Sequence, residues 1–93
     1  SRDSVFDGMA PGLPSLALLA KVQRKAATLG RTSDGSVGFV ESAIAGLAAE
    51  STDESLGVAL SAMVAYAVDN GLDAEDAART IARRIEAEAR SVE

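Results

Sequence analysis

Apolar residues recur every three to four positions in four stretches of the chain, and nowhere do they alternate strictly, so the pattern predicts helices and no strand. The most apolar stretch is Ser51 to Gly71. Ser51 and Glu54 stand in the S-x-x-E spacing of a capping box, which predicts a helix start there. Leu56, Leu60, Met63 and Ala67 follow at helical spacing, and Asn70-Gly71 supplies the left-handed stop. No charged residue stands between Glu54 and Asp69. A helix apolar on nearly all sides is buried on most of them, so this one is expected to be central. Its Leu56, Leu60, Met63 and Ala67 face is expected to form the core or a contact with a second chain.

The other helices are set around it. Residues 1–13 read as an irregular lead-in with turn signals at Asp7-Gly8 and Pro11-Gly12, from which Phe6 and Met9 pack back. A first helix over about 14–29 starts at Pro14 as its first residue and ends at Gly30. Its stripe is Leu16, Leu19, Ala20, Gln23 and Ala27. A polar loop leads to a second helix over about 37–49, with Val37, Val40, Ile44 and Leu47 inward and Gly46 allowing close approach. The central helix is expected over 53–70, after a short joint that favours an antiparallel neighbour. The last helix, about 73–92, is capped by Asp73 and carries Glu75 and Asp76 in its first turn. Its expected buried stripe is Ala78, Ile81, Ile85, Ala89 and Val92, with Glu75–Arg79 paired on the outside. The fold class is therefore all-α, a four-helix antiparallel bundle forming a single domain over residues 1–93.

Composition narrows the chemistry. A chain of 93 residues buries only about 60–65% of its unfolded surface, so oligomerisation would help it. Alanine dominates, which implies a core of small side chains and short interhelical distances. Residues 1–50 balance five basic against five acidic groups, so residues 51–93 carry the whole net charge of −5. That distribution opposes nucleic-acid binding, which needs a basic face. The absence of Cys and His removes thiolate sites, most zinc sites and most nucleophile–histidine chemistry. No apolar run reaches the roughly 18–20 residues of a membrane span, so no membrane partner and a cytoplasmic location are expected. The chain does not begin with Met and is expected to be a segment of a longer protein.

Residues Ser4 to Gly30 resemble a stretch of the MazG family of nucleoside triphosphate pyrophosphohydrolases. The resemblance is carried by Ser4-Val5, Asp7-Gly8, Leu13-Pro14 with Leu16, then Lys21, Gln23, Arg24 and Ala26, and finally Gly30. It implies the MazG type of all-α fold, packed as a dimer through the central helices. It also implies cleavage of a nucleoside triphosphate between the α and β phosphates. Family members hold Mg²⁺ with an E-x-x-E on the second helix and an E-x-x-D on the third. Acids three apart share a helix face, and two such faces opposed make an oxygen cage that neutralises phosphate and activates water. Here those positions carry Ala43, Gly46, Ser55 and Val58, and Arg31-Thr32 replaces the family's aromatic after the glycine. Neither helix offers paired carboxylates. The resemblance therefore implies a MazG-like domain without catalytic or metal residues, serving dimerisation or structural support, with the chemistry in another domain. No cofactor is expected in this segment.

Other signals have plainer readings. Lys21, Arg24 and Lys25 are candidate phosphate contacts for a nucleoside triphosphate, but a basic helix end also suits the dipole. Asp73-x-x-Asp76 and Asp53-Glu54 fit helix starts. The Gly30–Gly38 loop lacks the phosphate-binding G-x-x-x-x-G-K-[ST] pattern. Two other functions stay open. One is an active Mg²⁺-dependent pyrophosphohydrolase using Glu41, Glu50, Asp53 or Glu54. The other is an acyl-carrier-like protein modified at Ser55, within the Asp53-Glu54-Ser55-Leu56 near miss to D-S-L.

Overall fold

The structure, a computed structural model, describes residues 4–93, so the first three residues of the expected lead-in lie outside it. Four helices account for it: α1 (Ser15–Ala27), α2 (Val37–Ala49), α3 (Asp53–Asp69) and α4 (Ala74–Arg90). The chain is an all-helical bundle, with no strand among the described residues.

Local chemistry places the helix ends. Pro14 is extended, at ψ 149°, and acts as the cap of α1 rather than its first residue. Gly30, at φ +80°, ends the first helical segment; Arg31 N–H bonds to Ala26 O at 3.0 Å and Gly30 N–H to Ala27 O at 3.0 Å. This is a Schellman closure. Gly71, at φ +67°, does the same for α3, with Leu72 N–H on Ala67 O at 2.8 Å. The Ser36 hydroxyl caps α2 and the Asp73 carboxylate caps α4, as expected for the latter. The start of α3 differs from expectation. The reciprocal box is Thr52–Ser55, with Ser55 N–H on Thr52 Oγ1 at 3.1 Å and Thr52 N–H on Ser55 Oγ at 3.0 Å. Ser51 instead donates its hydroxyl to Leu47 O at 2.9 Å, which uses it at the end of α2.

α3 is central: it packs against α1, α2 and α4, and it holds every fully buried residue among those described. Those residues are Ala59, Ala62, Val64, Ala65 and Ala67. Of the expected core face only Ala67 is buried; Leu56, Leu60 and Met63 remain 45%, 37% and 42% exposed. The buried alanines of α3 lie where α1, α2 and α4 pack on it, and the leucine–methionine stripe stays on the solvent side. α2 contributes Val40, Ala43 and Leu47 as half-buried residues, whereas Val37 and Ile44 are exposed. α1 contributes Leu16, Leu19, Ala20 and Gln23, with Ala27 exposed. Met9 is half-buried and Phe6 exposed.

α2 and α3 run antiparallel, since Gly35 at the start of α2 lies against Ala65 and Asp69 at the end of α3. Loop and helix approach so closely there that a Cβ on Gly35 would sit within the Asp69 carboxyl group and 2.8 Å from Ala65 O. α1 is fastened to α3 by Gln23, whose Nε2 donates to Ser61 O at 2.9 Å and Ser61 Oγ at 3.1 Å. α4 departs from an antiparallel bundle. The chain turns through 111° between α3 and α4, where antiparallel bundle neighbours turn through about 160°. The expected buried stripe Ala78, Ile81, Ile85, Ala89 and Val92 is consequently exposed along its whole length. The Glu75–Arg79 pair forms at 3.0 Å, and Glu86–Arg90 repeats it at 3.2 Å. No single helix among the described residues is long and apolar enough to cross a membrane.

Candidate functional site

A groove of about 500 Å³ lies where the C-terminal part of α2 meets the start of α3. The short joint at residues 50–52 and the antiparallel pairing bring residues from both helices to one surface. Ala43 and Gly46 line it from α2, Ser55 and Val58 from α3, with Phe39 at one end. The four positions at which the resemblance leads one to expect metal ligands thus line one groove. A Cβ added at Gly46 would meet nothing within 4 Å, so this glycine leaves open space rather than a close contact within the chain.

The donor set there is poor for a hard cation. Among the four side chains only Ser55 carries an oxygen, and that oxygen is already occupied. Its hydroxyl donates to Glu50 O at 2.6 Å and accepts from Thr52 N–H at 3.0 Å, which ties the joint to the first turn of α3. Glu50 and Glu54 border the groove as exposed carboxylates. No cluster of three or more acidic groups able to hold a metal ion occurs among the described residues. Mg²⁺ takes near-octahedral oxygen ligation, and these residues do not fit that demand. The same engagement of Ser55 Oγ opposes its use as an attachment point for a prosthetic group.

The basic candidates share none of the clefts described here. Lys21 and Lys25 are half-buried one turn apart on α1. Arg24 lines a cleft of about 140 Å³ with Asp73 and Glu75, and neither lysine lines it. A second cleft beside it includes Asp69. Carboxylates thus share Arg24's surroundings, which disfavours a polyphosphate there. The loop before α2 also presents an acceptor. Asp34 Oδ1 takes Ser36 N–H at 2.9 Å, and that bond, with help from the Ser36 hydroxyl, holds the Asp34 carboxyl below its ordinary range. Asp53, Asp73 and Asp76 lie at helix starts, and Asp73 Oδ1 accepts Asp76 N–H at 2.9 Å. Met63 is on the exposed face and Tyr66 is half-buried.

Gln23 is the polar group with a role that spacing did not reveal. It joins residues 38 apart, and its Oε1 is buried without a partner. A polar residue on an otherwise apolar helix stripe was the only signal for it. Compared with known proteins, the chain matches no family model, no curated protein and no solved structure.

Proposed function

We propose that this chain is a MazG-like helical module that has lost its metal site and acts in the dimerisation or structural support of a cytoplasmic nucleoside triphosphate pyrophosphohydrolase. The observation that carries the reading is the α2–α3 groove. Ala43, Gly46, Ser55 and Val58 share it, and the Ser55 hydroxyl, the only side-chain oxygen among those four, is engaged in capping. The reading takes this groove as the place of a two-helix cation site whose carboxylates are missing. The exposed Leu56, Leu60 and Met63 stripe supports the dimeric part, because a second copy would remove it from water.

Restoring the acids tests the reading. A variant with Ala43→Glu, Gly46→Glu, Ser55→Glu and Val58→Asp is expected to bind Mg²⁺ by calorimetry where the unmodified chain does not. Glu at position 55 keeps the Thr52 box, since Glu is the preferred residue at that capping position. Failure of the folded variant to bind Mg²⁺ would remove the groove as a relic site. Glu50 and Glu54 on the rim favour a second reading, an active enzyme with unusual ligation. Mg²⁺-dependent pyrophosphate release by the unmodified chain, abolished by Glu54→Gln, would establish that one instead.

A further inference from the structure

The joint between α3 and α4 contains the chain's only asparagine, Asn70, directly before Gly71. Glycine has no side chain to shield its backbone nitrogen, so that nitrogen can reach and attack the side-chain amide of a preceding asparagine. Asn70, Gly71, Leu72 and Asp73 are all exposed. In the folded chain the reacting atoms are held apart. Ring closure needs the Asn70 Cβ and the Gly71 nitrogen on the same side of the Asn70 Cα–C bond. With Asn70 at ψ 12°, its own backbone nitrogen nearly eclipses the Gly71 nitrogen instead, which turns Cβ away. Three hydrogen bonds hold that geometry. Asn70 Nδ2 donates to Tyr66 O at 2.8 Å, Gly71 N–H to Val68 O at 3.4 Å and Leu72 N–H to Ala67 O at 2.8 Å. The first of them also engages the amide nitrogen that would leave.

We propose that Asn70 is a self-modification site, deamidating and isomerising through Gly71 whenever the C-terminal cap of α3 opens. Opening breaks exposed hydrogen bonds at a helix end and leaves the alanine core of α3 in place, so it is more frequent than global unfolding. Once Asn70 rotates, the Gly71 nitrogen attacks Asn70 Cγ. The N–Cγ bond forms, the Cγ–Nδ2 bond breaks, and ammonia leaves with the proton of the Gly71 amide. Water then adds to either carbonyl of the five-membered imide. One opening gives aspartate at position 70; the other gives a β-linked aspartate, whose backbone is longer by the Cβ atom. The net reaction consumes water and releases ammonia. The longer backbone draws Leu72 N–H away from Ala67 O, and the new carboxylate meets the negative end of the α3 dipole. Both products lose the Nδ2 donor to Tyr66 O. The anchor of α4 is therefore loosened irreversibly, and the joint records the age of the chain.

The unmodified chain is incubated at mildly alkaline pH, folded and in guanidinium chloride, and the peptide spanning residue 70 is followed by mass spectrometry. A mass gain in that peptide reports Asn70 alone, because the Asp7-Gly8 and Asp34-Gly35 pairs isomerise without changing mass. The folded rate is expected to be about tenfold or more below the rate in denaturant. It is also expected to exceed the denatured rate multiplied by the globally unfolded fraction, taken from equilibrium unfolding. Equal rates in the two conditions would show that the cap gates nothing. A folded rate equal to that product would place the reaction in the globally unfolded chain. No product in denaturant would remove Asn70 as a reactive group. Each of these results overturns the proposal. The modified chain is expected to melt below the fresh one, while Asn70→Ser carried through the same incubation keeps its midpoint. An unchanged midpoint in the modified chain, or an equal loss in Asn70→Ser, would overturn the effect on the joint.

Discussion

Substituting Val64 and Leu60 separately distinguishes the core that the structure shows from the one the hydrophobic pattern favours. Val64 is 1% exposed. Val64→Ala deletes two carbons at ~0.8 kcal/mol each and leaves a closed cavity, so the expected cost is about 2–3 kcal/mol. Leu60 is 37% exposed, and Leu60→Ala deletes three carbons from an open face. With roughly two-thirds of the transfer term and no enclosed cavity, its cost is about 1.5 kcal/mol. For a domain of this size each 1 kcal/mol moves Tm by roughly 4–8 °C, so the two variants separate in thermal melts followed by circular dichroism. The comparison belongs at low protein concentration, where a second copy contributes nothing. At high concentration the Leu60→Ala penalty is expected to grow while the Val64→Ala penalty changes less. If Leu60→Ala costs as much as Val64→Ala in dilute solution, the stripe is covered within the chain and the burial pattern described for α3 fails.

Other outcomes follow from single contacts. Gln23→Glu replaces the amide donor that holds Ser61 O by a carboxylate and is expected to cost about 2–3 kcal/mol near neutrality in urea unfolding. Gln23→Ala also relieves the buried, unpartnered Oε1 and is expected to cost only about 1 kcal/mol. Gly35→Ala places a methyl against Ala65 O and the Asp69 carboxyl group, so a loss of about 1–3 kcal/mol is expected, read as a lower urea midpoint at unchanged slope. Asp34 is expected to titrate below the usual aspartate range by carboxyl NMR, because ionisation strengthens its bonds from Ser36. Its folded pKa is lowered, so the small stabilisation is complete above the unfolded value and disappears as pH falls through the folded one. Ser36→Ala removes the hydroxyl contribution and is expected to raise the midpoint toward normal while the backbone bond persists.

Much of the architecture was legible because helix ends are local. Gly30, Gly71 and Asp73 stop and start helices through their own backbone and side-chain chemistry, with no help from distant residues. The Ser51–Glu54 box was displaced by one residue because Thr52-x-x-Ser55 overlaps it and Ser51 is drawn to Leu47 O. The sharing of one groove by Ala43, Gly46, Ser55 and Val58 follows from three-residue spacing on two helices with a short antiparallel joint. The buried face of α3 was not legible. A helix without a charge from residue 55 to residue 68 has too little polar contrast to say which side faces inward. In such a helix, side-chain size decides the close contacts, and alanine wins over leucine. The direction of α4 was hidden for a different reason. Gly71 marks where the helix ends, but the 111° turn is a tertiary property that periodicity does not encode.

On the proposed reading, the absence of metal-binding carboxylates from the groove bears on stability as well as chemistry. Four acids facing one another across two helices repel when no cation is bound, so a domain built that way is held together partly by its ion. Alanine, glycine, serine and valine carry no such repulsion, and Ser55 at one of these positions serves as a cap. On the proposed reading the fold is therefore indifferent to Mg²⁺. A site binding the ion would stabilise the native state by about 2.7 kcal/mol at a hundredfold excess over Kd, a rise of roughly 10–20 °C in Tm. Melts in millimolar Mg²⁺ and in chelator are expected to coincide for the unmodified chain. In the four-carboxylate variant the same melts are expected to diverge by that amount, with the chelated form below the unmodified protein because its acids then face each other uncompensated. A Mg²⁺-dependent rise in the unmodified chain would mean that Glu50 and Glu54 recruit ligands which the groove as described does not supply.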